Sequence, residues 1–342
     1  MTTVGKRKIF TVIQYLFFLG IGVLLLWLSF RKLNMKEVWD DIMGANYYWM
    51  LLSLVFAIFA HIFRAMRWNL LINSLNYKTK LSTTFYAVMV GYMANTAVPR
   101  AGEFARCGVL SKKEKIPFNA LFGTVISERI FDLITLFFII FLVIVFQLQS
   151  LGGFLETNFA PLIDNIFSNL QGMITFFVII LLCAIAIIVT LKLLKNKIKS
   201  HPLYFKVMAF IEGLLDGIKT IGKLKHKWLF MFYTFLIWLL YALMIYFPVF
   251  MIPETSALTF IDALTILAIG SLGIVAPVPG GIGAYHFIVK AILVEIYGIE
   301  GTAAGSFAAI THAGQTILNI IVGSLSYFYI GYLTSREKSL NE

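Results

Sequence analysis

Charged and turn-forming residues fall in a few tight groups within otherwise apolar sequence, and each group suits a particular chemistry. Glu128, Arg129 and Asp132 interrupt an apolar run from 120 to 146. On a helix rising about 1.5 Å per residue, Asp132 lies roughly 18 Å beyond Ala120, near the centre of a bilayer. Charges at that depth are costly and mark a pathway or a mutual pair. Glu128 and Asp132 are four apart and share a helix face, with Arg129 offset from them. They are placed to receive a cation, to relay protons, or to be neutralised by Arg64 or Arg67 of a neighbouring helix.

A second group, Asn95, Pro99, Arg100, Gly102, Glu103 and Arg106, joins a proline-glycine break to charge. Glu103 and Arg106 are three apart, so they are expected to pair on one helix. Arg100, beside the glycine turn, offers a planar fork suited to bidentate binding of phosphate, or serves as a juxtamembrane anchor. A third group is Pro277, Pro279, Gly280, Gly281 and Gly283. Proline ends the incoming helix by removing donors, and glycine permits left-handed turns and close backbone approach. A helix restarting near Gly283 presents free N–H groups to a phosphate or carboxylate. His286 and His312 follow, with Lys290 one turn beyond His286; either histidine serves packing or the same site. No Ser-His-Asp arrangement, metal-ligand spacing or nucleotide-binding glycine loop is found, so no cofactor or metal is expected.

The elements that hold these groups are set by composition. Of 342 residues, 60% are apolar and 13% charged, against about 45–50% and about 25% in soluble proteins. Apolar stretches cover 9–30, 49–63, 83–98, 120–146, 173–194, 228–252, 261–278, 284–297 and 306–333. A crossing helix needs about 20 residues, so the third, seventh and eighth are short or marginal. The first is long, lacks a small-residue cleavage pattern and is expected to be retained as a span. Cys107 and Cys183 offer no disulfide framework. The +11 formal charge flanks apolar spans, which suits the positive-inside rule and anionic phospholipid headgroups rather than nucleic acid.

Charge placement then selects a topology. Nine full crossings would put the two basic termini on opposite sides. Six full crossings with two re-entrant hairpins, at 83–110 and 260–298, put 23 of the 28 Lys and Arg residues in the cytoplasm with both termini. The hairpins enter from opposite faces, like an inverted repeat, and GYMANTAVPRAGE at 91–103 weakly echoes GSLGIVAPVPGGIG at 270–283. Broken helices of this kind are tolerated where they are buried in protein or line a polar cavity. Apolar residues at helical spacing between 200 and 226 predict a cytoplasmic interfacial helix. The expected fold is an all-α integral membrane protein, one polytopic domain over 1–342, in the cell (inner, cytoplasmic) membrane.

Four motifs in this order, FRAMRW at 63–68, NTAVPRAGEFAR at 95–106, ERIFD at 128–132 and PVPGGIG at 277–283, resemble the lysylphosphatidylglycerol synthase transmembrane family. The likeness runs through most of the chain from about Arg64. It implies a translocase for a lipid with a charged headgroup, with the ERxxD and PR-x-GE motifs beside the path. Many relatives carry a glutamate where His286 stands and an arginine near His312, which implies a different headgroup or proton coupling here. The soluble synthase domain of two-domain relatives is not expected, nor is lipid aminoacylation.

The expected function is therefore flippase-like transport of a membrane lipid. Arg100 and the half-helix ends would hold phosphate, and Glu128 and Asp132 would take a cationic headgroup or protons. A membrane-embedded transferase, or an accessory acting on a polyprenyl-phosphate, glycolipid or aminoacyl-lipid, uses the same phosphate site; a scaffold for lipid-synthesis enzymes is the third reading. Homo-oligomer formation is left open by the sequence.

Overall fold

The computed structural model describes residues 3–147, 224–275 and 278–339, and the described residues form helices and turns with no strand. All but Gln147 belong to one unit, residues 1–146 with 222–342. The expected span at 173–194 and most of the expected interfacial helix at 200–226 lie outside the described residues.

Helix α1 (Thr3–Phe30) and helix α2 (Met35–Gly44) meet at 90°. Asn34 ends the turn between them, its side chain accepting the Lys36 N–H at 3.1 Å, a standard N-cap that satisfies one orphan amide. Helix α3 (Tyr47–Ser74) starts the same way on Asn46. Its buried face, with Ala57, Ala60, Arg64, Arg67, Trp68 and Leu71, follows helical spacing along nearly its whole length. The sequence places Arg64 and Arg67 in a cytoplasmic flank; instead they lie inside α3, almost fully buried, because carboxylates of another helix face them.

Helices α4 (Leu81–Ala97) and α5 (Ala101–Glu114) are separated by three residues. Val98 is extended, as a residue before proline tends to be, and Arg100 takes a left-handed φ of 61°. The two helices then fold back on each other at Gly91 and Gly102. A Cβ on Gly102 would collide with the Gly91 carbonyl and the Asn95 amide. Helix α6 (Phe118–Phe146) and helix α7 (Lys227–Tyr246) are long and apolar, and α7 runs on through a 3-10 turn at Phe247–Met251.

Helix α8 (Phe260–Val275) leads into the second break. There Gly280, Gly281 and Gly283 all have positive φ, at 59°, 74° and 82°. Helix α9 (Ala284–Glu295) restarts after them, as the proline-glycine sequence predicts, and α10 (Gly301–Ser339) closes the chain.

Four helices, α3, α6, α7 with its 3-10 extension, and α10, are long and apolar enough to cross a membrane, and the bent α1–α2 pair makes up to five. These five correspond to five of the six expected crossings. One apolar cluster gathers Val249, Ile266, Val289, Leu293 and Phe307, from the 3-10 extension of α7 to α10. Another gathers Trp68, Val88, Leu110, Leu121 and Val125, from α3 to α6.

Candidate functional site

The charged residues singled out in the sequence converge where α3, α5 and α6 meet. The Arg64 guanidinium lies 2.8 Å from Glu128 Oε1 and 2.8 Å from Asp132 Oδ2. Arg67 reaches Asp132 Oδ1 at 2.7 Å and Glu128 Oε1 at 3.5 Å. Arg106 of α5 approaches Glu128 Oε2 at 3.3 Å. Glu128 is fully buried, and Arg64, Arg67 and Arg106 are nearly so. The i,i+4 spacing of Glu128 and Asp132 puts both carboxylates on the α6 face that α3 covers, where Arg64 and Arg67 stand almost a turn apart.

The neutral shell around these ions came from residues that sequence reasoning passed over. Arg64 donates to the Tyr241 hydroxyl at 2.8 Å, and that oxygen sits 3.2 Å from the Tyr92 hydroxyl. Arg67 donates to Thr234 Oγ1 at 3.1 Å. Arg106 lies over the Trp68 ring, 4.8 Å from its centroid, and the Trp68 N–H donates to Thr124 at 2.8 Å. His61, one turn before Arg64 and buried, packs on Tyr92 with ring centroids 4.3 Å apart. Its spacing from Arg64 was the one available signal.

Glu103 and Arg106 do not form the pair that their spacing suggests. Both reach across to α6: Arg106 to Glu128, and Glu103 to Arg129 at 3.4 Å. A partner on a facing helix wins because it also neutralises a charge there, which an i,i+3 pair on α5 would leave bare. Arg64, Tyr92, Asn95, Glu103, Arg106 and Arg129 line a small cleft of about 10 Å³, room for about one water. Asn95 stays at its edge by accepting the Gly102 N–H at 2.7 Å. Arg100 is exposed at the α4–α5 break and lies outside the ion cluster.

The second group forms its own site. The Gly283 N–H donates to His286 Nδ1 at 3.3 Å, which puts the neutral ring's proton on Nε2. His312 Nε2 faces the Gly280 carbonyl at 2.9 Å; the carbonyl accepts, so Nε2 carries the proton and Nδ1 keeps a lone pair. These tautomers are assigned from the hydrogen-bond network. The rings lie 4.7 Å apart. Pro279 and Gly281 are buried at the turn. Among the described residues, no hydrogen bond or ion pair joins these histidines to the arginine cluster, yet the two breaks themselves touch. A Cβ on Gly280 would lie 3.3 Å from the Thr96 carbonyl oxygen, at the end of α4. Helix α1 braces both: the Tyr15 hydroxyl donates to the Ala97 carbonyl at 3.3 Å, and Gly283 packs on the Gly22 backbone too closely for any side chain.

No solved structure matches the chain. A curated relative, the UPF0104 membrane protein MJ1595 of Methanocaldococcus jannaschii, is 28% identical over 160 residues, 46% of this chain and 43% of that protein. The chain thus spans less than half the length of the curated relative it matches. The family model described as the lysylphosphatidylglycerol synthase TM region matches residues 13–323, a range that holds both breaks and every member of the ion cluster. The protein therefore belongs to the lysylphosphatidylglycerol synthase transmembrane family.

Proposed function

We propose that this protein is a flippase-like transporter that moves a lipid with a charged headgroup across the cell membrane, with the acyl tails remaining in lipid. The carrying observation is the meeting of the two helix breaks at Thr96 and Gly280, beside a buried cluster of ions. Bare backbone groups and charges are both expensive in hydrocarbon, and they are retained together where a polar path passes.

In this reading, 83–110 and 260–298 are re-entrant hairpins entering from opposite faces, six helices cross fully, and both termini are cytoplasmic. Helix lengths support it. Helices α4, α5, α8 and α9 have 17, 14, 16 and 12 residues, all under the roughly 20 needed to span. Arg100 and the half-helix end at Gly283 are the first contacts for a phosphate, and the arginine cluster lies deeper. Glu128 and Asp132 are held by arginines, so their role is to keep those cations in hydrocarbon, and a cationic headgroup gains little from them.

The test is purified protein in lipid vesicles, with movement of headgroup-labelled lipids followed between leaflets. Wild type is expected to move label and Asp132→Asn to stop it; equal rates in the two would refute the proposal. Formation of a new lipid product on adding an activated donor would favour the transferase reading instead.

A further inference from the structure

Helix α2 is too short and polar to cross a membrane, yet too apolar on one side to stand in water. It meets α1 at 90°, and only Ala45 and Asn46 separate its end from α3, which is long and apolar enough to cross. Set square to one apolar helix and beside the start of the next, it lies along the bilayer surface for about 15 Å. Its side chains then fix how it is rotated. At about 100° per residue, α2 divides into three sectors. The first meets the protein: Val38 is 3% exposed, Asp41 accepts from Ser306 of α10 at 2.8 Å, and Ile42 packs on the apolar cluster that ends in α10. The second is centred on Trp39, about 100° round from Val38, and holds Met35, Trp39 and Met43, which are 60%, 60% and 66% exposed. The third carries Lys36, Glu37 and Asp40, all exposed, with Asp40 about 200° from Val38. A helix lying on a bilayer and flanked by protein has the same surroundings in the same order, with protein beside it, acyl chains beneath and water above.

We propose that α2 is an interfacial helix that inserts Met35, Trp39 and Met43 into the leaflet at which α1 ends, so that the partner of this face is the lipid surface itself. The flanking helices carry the same kind of surface: Val23, Leu24 and Trp27 of α1 and Tyr48, Leu51 and Val55 of α3 are exposed. Indoles favour the level of the headgroups. Trp39 stands mid-way along α2, and Trp27, in the last turn of α1, has the Arg31 guanidinium over its ring at 5.0 Å. Lys36 borders the apolar sector, where its stem covers apolar surface while its charge stays in water. Lys36 against Glu37 and Asp40 leaves one net negative charge on the polar sector, so anionic headgroups do not draw the helix down, and insertion of the apolar stripe does.

The corner that leads into α2 gives the insertion a consequence. Leu33 packs on Gly301 and Gly305 of α10, the Phe30 ring meets the His286 ring at 6.0 Å, and Lys290 of α9 donates to the Ser29 carbonyl at 2.5 Å. Through these contacts α2 sets the depth of the second helix break relative to one leaflet, whatever the protein transports.

The measurement is spin labelling of the full chain in phosphatidylcholine vesicles, with Cys107→Ala and Cys183→Ala as background and single cysteines placed in turn from Met35 to Gly44. Collision with oxygen, which concentrates among acyl chains, is compared with collision with a water-soluble nickel chelate. The ratio should vary with a period of about 3.6 residues, highest at Met35, Trp39 and Met43 and lowest at Glu37 and Asp40, with Val38 reached by neither. Adding phosphatidylglycerol to the vesicles should leave the pattern unchanged. Nickel access at Met35, Trp39 and Met43 equal to that at Asp40 would put the stripe in water and overturn the proposal, as would insertion only when phosphatidylglycerol is added. Immobile labels at the same three positions, reached by neither quencher, would put protein there and overturn it too; broadening between labels would identify that protein as a second copy. Brominated phosphatidylcholine gives the answer without a label: the emission lost in Trp39→Phe should be emission that bromine quenches, and an unquenched Trp39 would overturn the insertion.

Discussion

At the scale of single residues, Asp132 and Arg67 form the most exchangeable part of the ion cluster. Asp132 accepts from Arg64 and Arg67 at once. Its neutral replacement therefore leaves two buried guanidiniums short of charge, and a loss of about 3–5 kcal/mol of stability is expected, read as a lowered Tm in detergent. Removing both partners is gentler. The double variant Arg67→Met, Asp132→Leu should be more stable than the sum of its single variants by more than 1 kcal/mol, the size of coupling found between contacting residues, because neither leaves an orphan charge. Lipid movement should stay absent in the double variant; stable and active would mean that the ions serve packing only.

Much of this residue-scale picture was open to sequence reasoning, for a physical reason. A carboxylate in an apolar helix must be answered, and Arg64 and Arg67 were the cations at hand; both answer it. The same logic could not choose the partner of Glu103, since i,i+3 spacing on α5 and an arginine on α6 were both available, and only packing decides between them. Tyr92, Tyr241 and Thr234 were invisible because hydroxyls scatter through apolar helices without any periodic signal.

At the scale of elements, the glycine contact between α4 and α5 controls whether the first pair can fold back. Gly102→Ala should push α5 off α4 and drop the yield of folded protein sharply, since its Cβ would meet the backbone of Gly91. Gly108→Ala on the same helix is the control. Nothing lies within 4 Å of that position, and stability there, read through Tm, should hold or rise by up to about 1 kcal/mol from helix propensity. The breaks themselves were legible, because proline and glycine act through local chemistry. The right-angle turn from α1 to α2 was not. The 31–46 segment reads as a polar connection, and what folds it is the Asn34 cap together with Val38 packed inward and Ser306 of α10 donating to Asp41 at 2.8 Å. That arrangement leaves Met35, Trp39 and Met43, each four residues from the last, on the outside.

At the scale of the whole molecule, the re-entrant topology makes a prediction that nine full crossings cannot share. With Cys107 and Cys183 replaced by alanine, single cysteines at Leu81 and Lys112 should both label with an impermeant maleimide only from the cytoplasmic side. Cysteines at Glu254 and Glu300 should both label only from outside. All four positions are exposed except where lipid covers them. Complete crossings would send Leu81 and Lys112 to opposite sides, and would put Glu254 and Glu300 on the same side as Leu81. The sequence reached this arrangement by counting lysines and arginines. That count included Arg64, Arg67 and Arg106 among the cytoplasmic charges, although all three are buried; without them the bias still points the same way, because the 192–227 segment carries most of it.

The stacking of Arg106 on Trp68 has an optical consequence. The indole is fully buried and its N–H is occupied by Thr124, so it should emit at short wavelength. A guanidinium 4.8 Å from the ring centre shifts that emission through its electric field. Any event that neutralises or moves Arg106 should therefore change the colour and yield of one indole among six, isolated by difference from Trp68→Phe, so the cluster carries its own spectroscopic gauge without a dye.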